Sequence, residues 1–381
     1  MSKLFKFLSV FLSLILLIWV CVPSVKATDV RQDAISVSAK AAVLIDASDD
    51  SILYSKNAVS RLPMASTTKI MTALIALEHG NLDRSYLIPD GAVGIEGSSI
   101  YLVRGEKLTL RELIYALMLE SANDAAQAIA IIIAGSVEAF ADIMNRRAEE
   151  LGLENTHFTN PHGLDHEEHY TTAYDLARLA SFALKNEAFR EIASTNKKTI
   201  PFNNGESARL LVNHNKMLRT YEGAIGVKTG FTKRCGRCLV SAAQRDGLTL
   251  VAVTLNAPDD WRDHTAMLDW GFENFVRVTL ANSKTFRLPI YVCGAKQSQV
   301  ICTNTQDISV TLPRDHATIS CVVEAPRFLW TPIRSGDAIG KLIYYCDGKI
   351  IGESALCTTE ALSPQNIKKG LWSRIKALFD F

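Results

Sequence analysis

The chain has 381 residues, 41 of them basic and 40 acidic, for a net charge of +1. That balance carries no electrostatic signature of nucleic-acid binding or of an acidic partner, so no nucleic-acid role is expected. Apolar residues make up 48% of the chain, which points away from disorder and toward a buried core, in more than one domain at this length.

Lys3 and Lys6 precede the apolar run "FLSVFLSLILLIWVCV", and Val25 and Ala27 occupy the small-residue positions of a signal-peptidase site. Residues 1–27 read as a secretory signal. The alternative is an uncleaved anchor, although the run is shorter than the ~20 residues a spanning helix needs. Either way the body of the protein is expected outside the cytoplasm. Cys21 leaves with the signal, so seven of the eight cysteines remain, an odd number that cannot all pair. Whether any of them form disulfides stays open.

Residues 41–57 read as a hairpin around an Asp-Ala-Ser-Asp-Asp turn. Beyond Pro63, Ile70, Ala73, Leu74 and Leu77 keep helical spacing up to a stop at Gly80, which puts Ser66 and Lys69 near a helix N-terminus. Residues 110–134 are densely apolar but broken by Ser121, Asn123 and Asp124, the pattern of two buried helices with a polar joint. Segments 137–151 and 171–184 predict further helices, so the middle of the domain is expected to be helical. From residue 224 the period shifts to short β-prone runs, "AIGVKTG", "CLVSAAQR" and "LTLVAVTLN", the last two joined across Asp246-Gly247. A helix over 264–276 closes the unit.

Strands at both ends with helices between predict an α+β fold, an antiparallel sheet covered by helices, over residues 28–276. Residues 277–360 hold seven or so short β-like runs and predict a small all-β sandwich. Residues 361–381 read as a linker and an amphipathic helix: Ile367, Leu371, Trp372, Ile375, Leu378 and Phe379 share one face and Lys369, Ser373 and Lys376 point away. This C-terminal helix is expected to lie on a membrane surface; the alternative is a terminal helix docked on the protein.

At i and i+3 the Lys69 amine can reach the Ser66 hydroxyl. A lysine of ordinary pKa, about 10.4, is a poor base at neutral pH; burial, a neighbouring cation and a helix N-terminus all lower it. Lys228, in "GVKTG", is the candidate cation. Gly230 leaves its strand edge open to an extended peptide, whose carboxylate Lys228 and Thr229 would bind. Ser121 and Asn123 supply a hydroxyl and an amide for proton relay and substrate binding. Taken singly these strings read as a cap, a turn and another cap; their order in one exported chain favours catalysis. His157, His162, His166 and His169 crowd one loop, but "HEEH" is not a zinc helix, and Pro161 and Gly163 break any continuous face. Cys235 and Cys238 lack a second pair, so buried thiols are expected, with neither a metal nor a cofactor.

These three motifs resemble those of the low-molecular-mass penicillin-binding proteins that act as D-alanyl-D-alanine carboxypeptidases, serine peptidase family S11. The resemblance covers nearly the whole chain. It implies the penicillin-binding protein/β-lactamase-like transpeptidase fold, acylation of Ser66 with Lys69 as base, and Ser121 and Asn123 as the second motif. Lys228, Thr229 and Gly230 would form the third, with backbone N–H groups of Ser66 and Phe231 as the oxyanion hole and Arg262 on the substrate side. The implied partners are the peptidoglycan pentapeptide and β-lactam inhibitors. Two alternatives stand beside this reading: a β-lactamase-like hydrolase, for which no loop with a water-activating glutamate is visible, and a stem-peptide binder that does not turn over.

Overall fold

A computed structural model of the protein describes residues 35–365. The expected signal at 1–27 and the amphipathic tail from residue 366 onward lie outside the described residues.

Strands β1 (Ala41–Asp46) and β2 (Ile52–Lys56) form the expected hairpin, and β1 also pairs with a later strand. Its six residues are all buried because each face meets a core. Val43 and Ile45 pack into one cluster, while Ala42 and Leu44 pack into another on the opposite side. A strand covered on both faces reads as a continuous apolar run, and "AAVLID" does.

The first face is covered by α1 (Lys69–His79), α2 (Leu110–Leu119), α3 (Asn123–Ala134), α4 (Val137–Glu150), α5 (Ala173–Leu184) and α6 (Glu187–Ser194). Local chemistry sets their ends. Thr109 and Glu112 form a reciprocal capping box on α2, Ser136, Thr172 and Asn186 cap α4, α5 and α6, and Gly135 at φ +83° stops α3. Two short strand pairs attach here: β3 (Ser85–Leu87) with β4 (Lys107–Thr109), and β5 (Lys197–Phe202) with β6 (Ser207–Val212).

The β5–β6 hairpin corrects the expectation that the middle of the domain is wholly helical. Only Ile200 of β5 is buried, so the segment shows no apolar alternation to read.

After α7 (Met217–Thr220), strands β7 (Ala224–Thr232), β8 (Gly236–Arg245) and β9 (Leu248–Leu255) complete a five-stranded antiparallel sheet in the order β2-β1-β9-β8-β7. β7 is therefore an edge strand. Helix α8 (Asp260–Asn274) covers the second face and begins four residues before the expected start, with its last expected residues, Phe275 and Val276, drawn into the next strand.

The C-terminal unit is all-β. β10 (Phe275–Ala281) pairs with β13 (Ile308–Pro313), and a six-stranded sheet is ordered β14-β16-β17-β12-β11-β15. Its strands are β11 (Arg287–Cys293), β12 (Gln299–Asn304), β14 (Ser320–Glu324), β15 (Phe328–Trp330), β16 (Ala338–Cys346) and β17 (Lys349–Thr358). Leu280 and Ile308 of the pair pack with Leu342, Tyr344 and Leu356 of the larger sheet, the sandwich core. Buried Asp46 ties the two units, accepting from Arg277 and from the Thr311 hydroxyl.

Helix α8 sits directly on the sheet at Gly271, where a Cβ would lie 2.6 Å from Leu250 Cδ1 and 2.8 Å from Leu44 Cδ2. Gly271→Leu is expected to overpack this seam and lower the unfolding free energy by about 1–3 kcal/mol in a urea titration. Gly271→Ala, which meets only the movable ends of two leucines, is expected to cost less.

Candidate active site

Ser66 lies in a single 3₁₀ turn, Ala65–Thr68, that runs directly into α1. The α-helix itself begins at Lys69, so both residues lie at the expected helix N-terminus. Within the turn Thr67 and Thr68 are buried and donate back to the Met64 and Ala65 carbonyls, at 2.6 and 2.8 Å, leaving Ser66 as its partly exposed side chain. Ala65 sits at φ +49°, a conformation costly for a residue with a Cβ and one that the surroundings must enforce.

The enforcing groups come from the loop between α4 and α5. His169 is buried with its pKa pushed down to about 3, so it is neutral. Its Nδ1 accepts from the Thr159 N–H at 3.0 Å, which leaves Nε2–H to donate to the Thr68 hydroxyl at 2.7 Å. That hydroxyl in turn holds the Ala65 carbonyl. Gly163, at φ +87°, packs so closely that a Cβ there would lie 1.9 Å from the Ala65 carbonyl oxygen.

Lys69 is fully buried, and its Nζ meets three groups: Ser66 Oγ at 2.9 Å, Asn123 Oδ1 at 2.7 Å and the His162 carbonyl at 2.6 Å. The orientation of the Asn123 amide is fixed, because its Nδ2 donates to the Glu96 carbonyl at 2.6 Å. Two of the three neighbours are therefore pure acceptors. A neutral amine has two N–H groups to give them and one lone pair left, aimed at the Ser66 hydroxyl.

Burial and then the Lys228 charge hold the Lys69 pKa well below the usual lysine value, against an opposing pull from Asp124. Lys228 is lowered to about 7 by burial alone.

Ser121 occupies the joint between α2 and α3 at φ +58°, buried, and Asn123 opens α3. The next residue, Asp124, organises the wall above: its carboxylate accepts from the Ser99 hydroxyl at 2.6 Å and from the Leu102 N–H at 3.0 Å. Lys228, buried on edge strand β7, donates to the Thr229 carbonyl at 3.1 Å. Gly230 brings that strand against the Ser66 turn, where a Cβ would lie 3.1 Å from the Ser66 nitrogen. Phe231 follows with its side chain 64% exposed. Arg262 is exposed in the first turn of α8, and among the described residues no hydrogen bond ties it to this group.

Sequence reasoning missed the His162 carbonyl, His169, Asp124 and the 96–102 loop. A main-chain acceptor leaves no sequence signal, though Gly163 inside a polar loop hinted at a close approach. Cys235 and Cys238 are free buried thiols with pKa values raised by burial to about 11 and about 12; Cys235 Sγ lies 3.3 Å from Asp165 Oδ1. All seven cysteines among the described residues are unpaired.

A sheet edge, a serine on a tight turn and a buried lysine whose pKa is held down define an acyl-transfer enzyme of the penicillin-binding-protein class. Residues 26–259 match the D-alanyl-D-alanine carboxypeptidase family, peptidase S11, and residues 279–364 match the C-terminal domain of penicillin-binding protein 5. The chain is 33% identical over 340 residues to the D-alanyl-D-alanine carboxypeptidase DacF of Bacillus subtilis, covering 87% of each. To DacC of Escherichia coli it is 30% identical over 375 residues, covering 94% of this chain and 92% of that one. Penicillin-binding protein 5 of Haemophilus influenzae superposes with a TM-score of 0.71 at 27% identity, over 86% of this chain and 98% of the other. The chain belongs to the D-alanyl-D-alanine carboxypeptidase family of serine peptidases.

Gly163→Ala should displace the Ala65 carbonyl and with it Ser66, since backbone meets backbone and the φ is positive. The rate of acylation by a penicillin, followed by stopped-flow or gel, is expected to fall about 10²-fold, while far-UV circular dichroism stays unchanged.

Proposed function

We propose that this carboxypeptidase works through a Ser66 acyl-enzyme with Lys69 as its general base, and that its substrate is the D-Ala-D-Ala end of a peptidoglycan stem peptide. The observation that carries this is the Lys69 amine, buried, held by two acceptors and directed at the Ser66 hydroxyl. The pentapeptide adds as a strand along β7, with its terminal carboxylate at Lys228 and Thr229 and its amide at Asn123. Ser66 gives its proton to Lys69 and attacks the carbonyl between the two D-alanines. The oxyanion gathers the backbone N–H groups of Ser66 and Phe231. Ser121 relays the proton from Lys69 to the departing D-alanine nitrogen, and water then hydrolyses the ester with Lys69 again as base. Arg262 stands on the substrate side as a further contact for the carboxylate.

β-Lactams enter by the same attack on their strained amide and leave slowly. The signal at 1–27 and the basic amphipathic face at 366–381 support an exported enzyme held peripherally on the extracytoplasmic face of the cell membrane.

A fluorescent penicillin should label the protein covalently, and Ser66→Ala should abolish the band. Lys69→Ala is expected to slow acylation about 10²- to 10⁴-fold with the thermal melt preserved. Labelling that survives Ser66→Ala would remove the nucleophile from this scheme, and failure to release D-alanine from a pentapeptide would leave only a binding protein.

The pH profile carries a second test. kcat/KM is expected to rise as Lys69 loses its proton and to fall above about pH 7, where Lys228 loses the charge that receives the carboxylate. Lys228→Arg, whose guanidinium stays charged, should remove the alkaline fall. Lys228→Ala should move the acid limb to higher pH, because deleting a neighbouring cation raises the Lys69 pKa.

A further inference from the structure

The sheet of the C-terminal unit presents aromatic side chains to solvent at the corner where the chain leaves it. β15 is an edge strand that alternates: Leu329 packs inward, while Phe328 and Trp330 stand out, 50% and 71% exposed, with rings 6.1 Å apart edge to face. The neighbouring β11 runs parallel and sets Tyr291, 62% exposed, opposite Phe328. One exposed aromatic is ordinary; three on adjacent strands and one face form a patch. Lys296 and Arg327 are also exposed, in the loop after β11 and immediately before Phe328.

The end of the described chain lies at the same corner. The Gln365 N–H donates to the Gly294 carbonyl at 2.6 Å, one residue past Cys293, which pairs with Trp330. From that point the sequence continues into "NIKKGLWSRIKALFDF".

We propose that Tyr291, Phe328 and Trp330, with Lys296 and Arg327, form a second membrane contact that seats in the headgroup region of an anionic bilayer beside the C-terminal tail. This rests on the reading that residues 366–381 bring the chain to the membrane. Tyrosine and tryptophan join an apolar body to a polar tip and favour the interface, and the two cations suit anionic headgroups. Tethering by the tail makes the patch's encounter with the bilayer intramolecular, so a contact too weak to act alone becomes effective. Two contacts would also restrain how the catalytic unit tilts over the membrane.

The test compares the full chain with the variant Phe328→Ser/Trp330→Ser on vesicles of phosphatidylethanolamine and phosphatidylglycerol. Wild-type protein should co-sediment, and the variant should partition roughly tenfold more weakly, with D-alanine release from soluble pentapeptide unchanged. Lipid carrying a nitroxide on its headgroup should quench part of the wild-type tryptophan emission, and Trp330→Phe should reduce that quenched part. Equal partitioning of wild type and double variant overturns the patch while leaving the tail reading intact. Failure of the wild type to bind at all overturns the tail reading and the patch with it. Loss in the variant of self-association, or of sedimentation with peptidoglycan, with vesicle binding kept, reassigns the face to a second copy or to the wall and overturns the proposal.

Discussion

The depressed proton affinity of one buried amine is the constraint on which the site depends. Among the described residues no carboxylate lies within hydrogen-bonding reach of Lys69; its nitrogen meets an amide oxygen, a main-chain carbonyl and a hydroxyl. Oxygen acceptors alone would also suit an ammonium; burial and the Lys228 charge are what tip the balance toward the neutral amine. The same choice forces the rest of the architecture. Asn123 must keep its carbonyl toward Lys69, so Glu96 offers an acceptor to the other end of that amide, and Asp124 then pins the surrounding loop.

That arrangement is held against a cost in stability. Both lysines have folded pKa values below the ordinary lysine value, so the unfolded chain binds protons that the folded chain gives up. For Lys228 the penalty is largest near and below pH 7 and fades as pH rises toward about 10.4, so this group makes stability increase with pH across that window. Ala65 and Ser121 add backbone conformations that residues with a Cβ rarely adopt. The large aliphatic core on the helical face of the sheet supplies what these positions consume, and His169 and Gly163 deliver it locally by fixing the Ala65 carbonyl.

Side chains with a chemical identity were legible in the sequence; the groups that hold them were not. The Ser66 and Lys69 spacing, the polar joint at Ser121 to Asn123 and the edge motif at Lys228 to Gly230 follow from periodicity and residue type, and the α+β order follows from the change of period at residue 224. The His162 carbonyl is invisible because any residue carries one. His169 was read as one histidine in a polar loop, since its role lies in a contact with Thr68, 101 residues away. The β5–β6 hairpin escaped because it is mostly exposed, so selection for burial left no alternation to detect. β12 does alternate, yet its Cys302 and Asn304 at inward positions blurred the apolar signal.

The open edge of β7 links this architecture to cleavage at a chain end. An unpaired strand edge invites addition by any extended peptide, and natural sheets usually block it. Here the Ser66 turn lies against the edge at Gly230, so an added strand must pass Ser66, and a side chain at residue 230 would crowd the approach. Just along the strand sits Lys228, buried and without an acidic partner among its hydrogen bonds. On the proposed mechanism, a substrate that ends in a carboxylate supplies that partner and favours the charged ammonium, which in turn lowers the proton affinity of Lys69. A peptide that continues past this point brings no charge, leaves a buried cation uncompensated and weakens the bias on the base. On the proposed mechanism, recognition of the free terminus and activation of Ser66 are one electrostatic event, and a preference for a terminal residue follows from it.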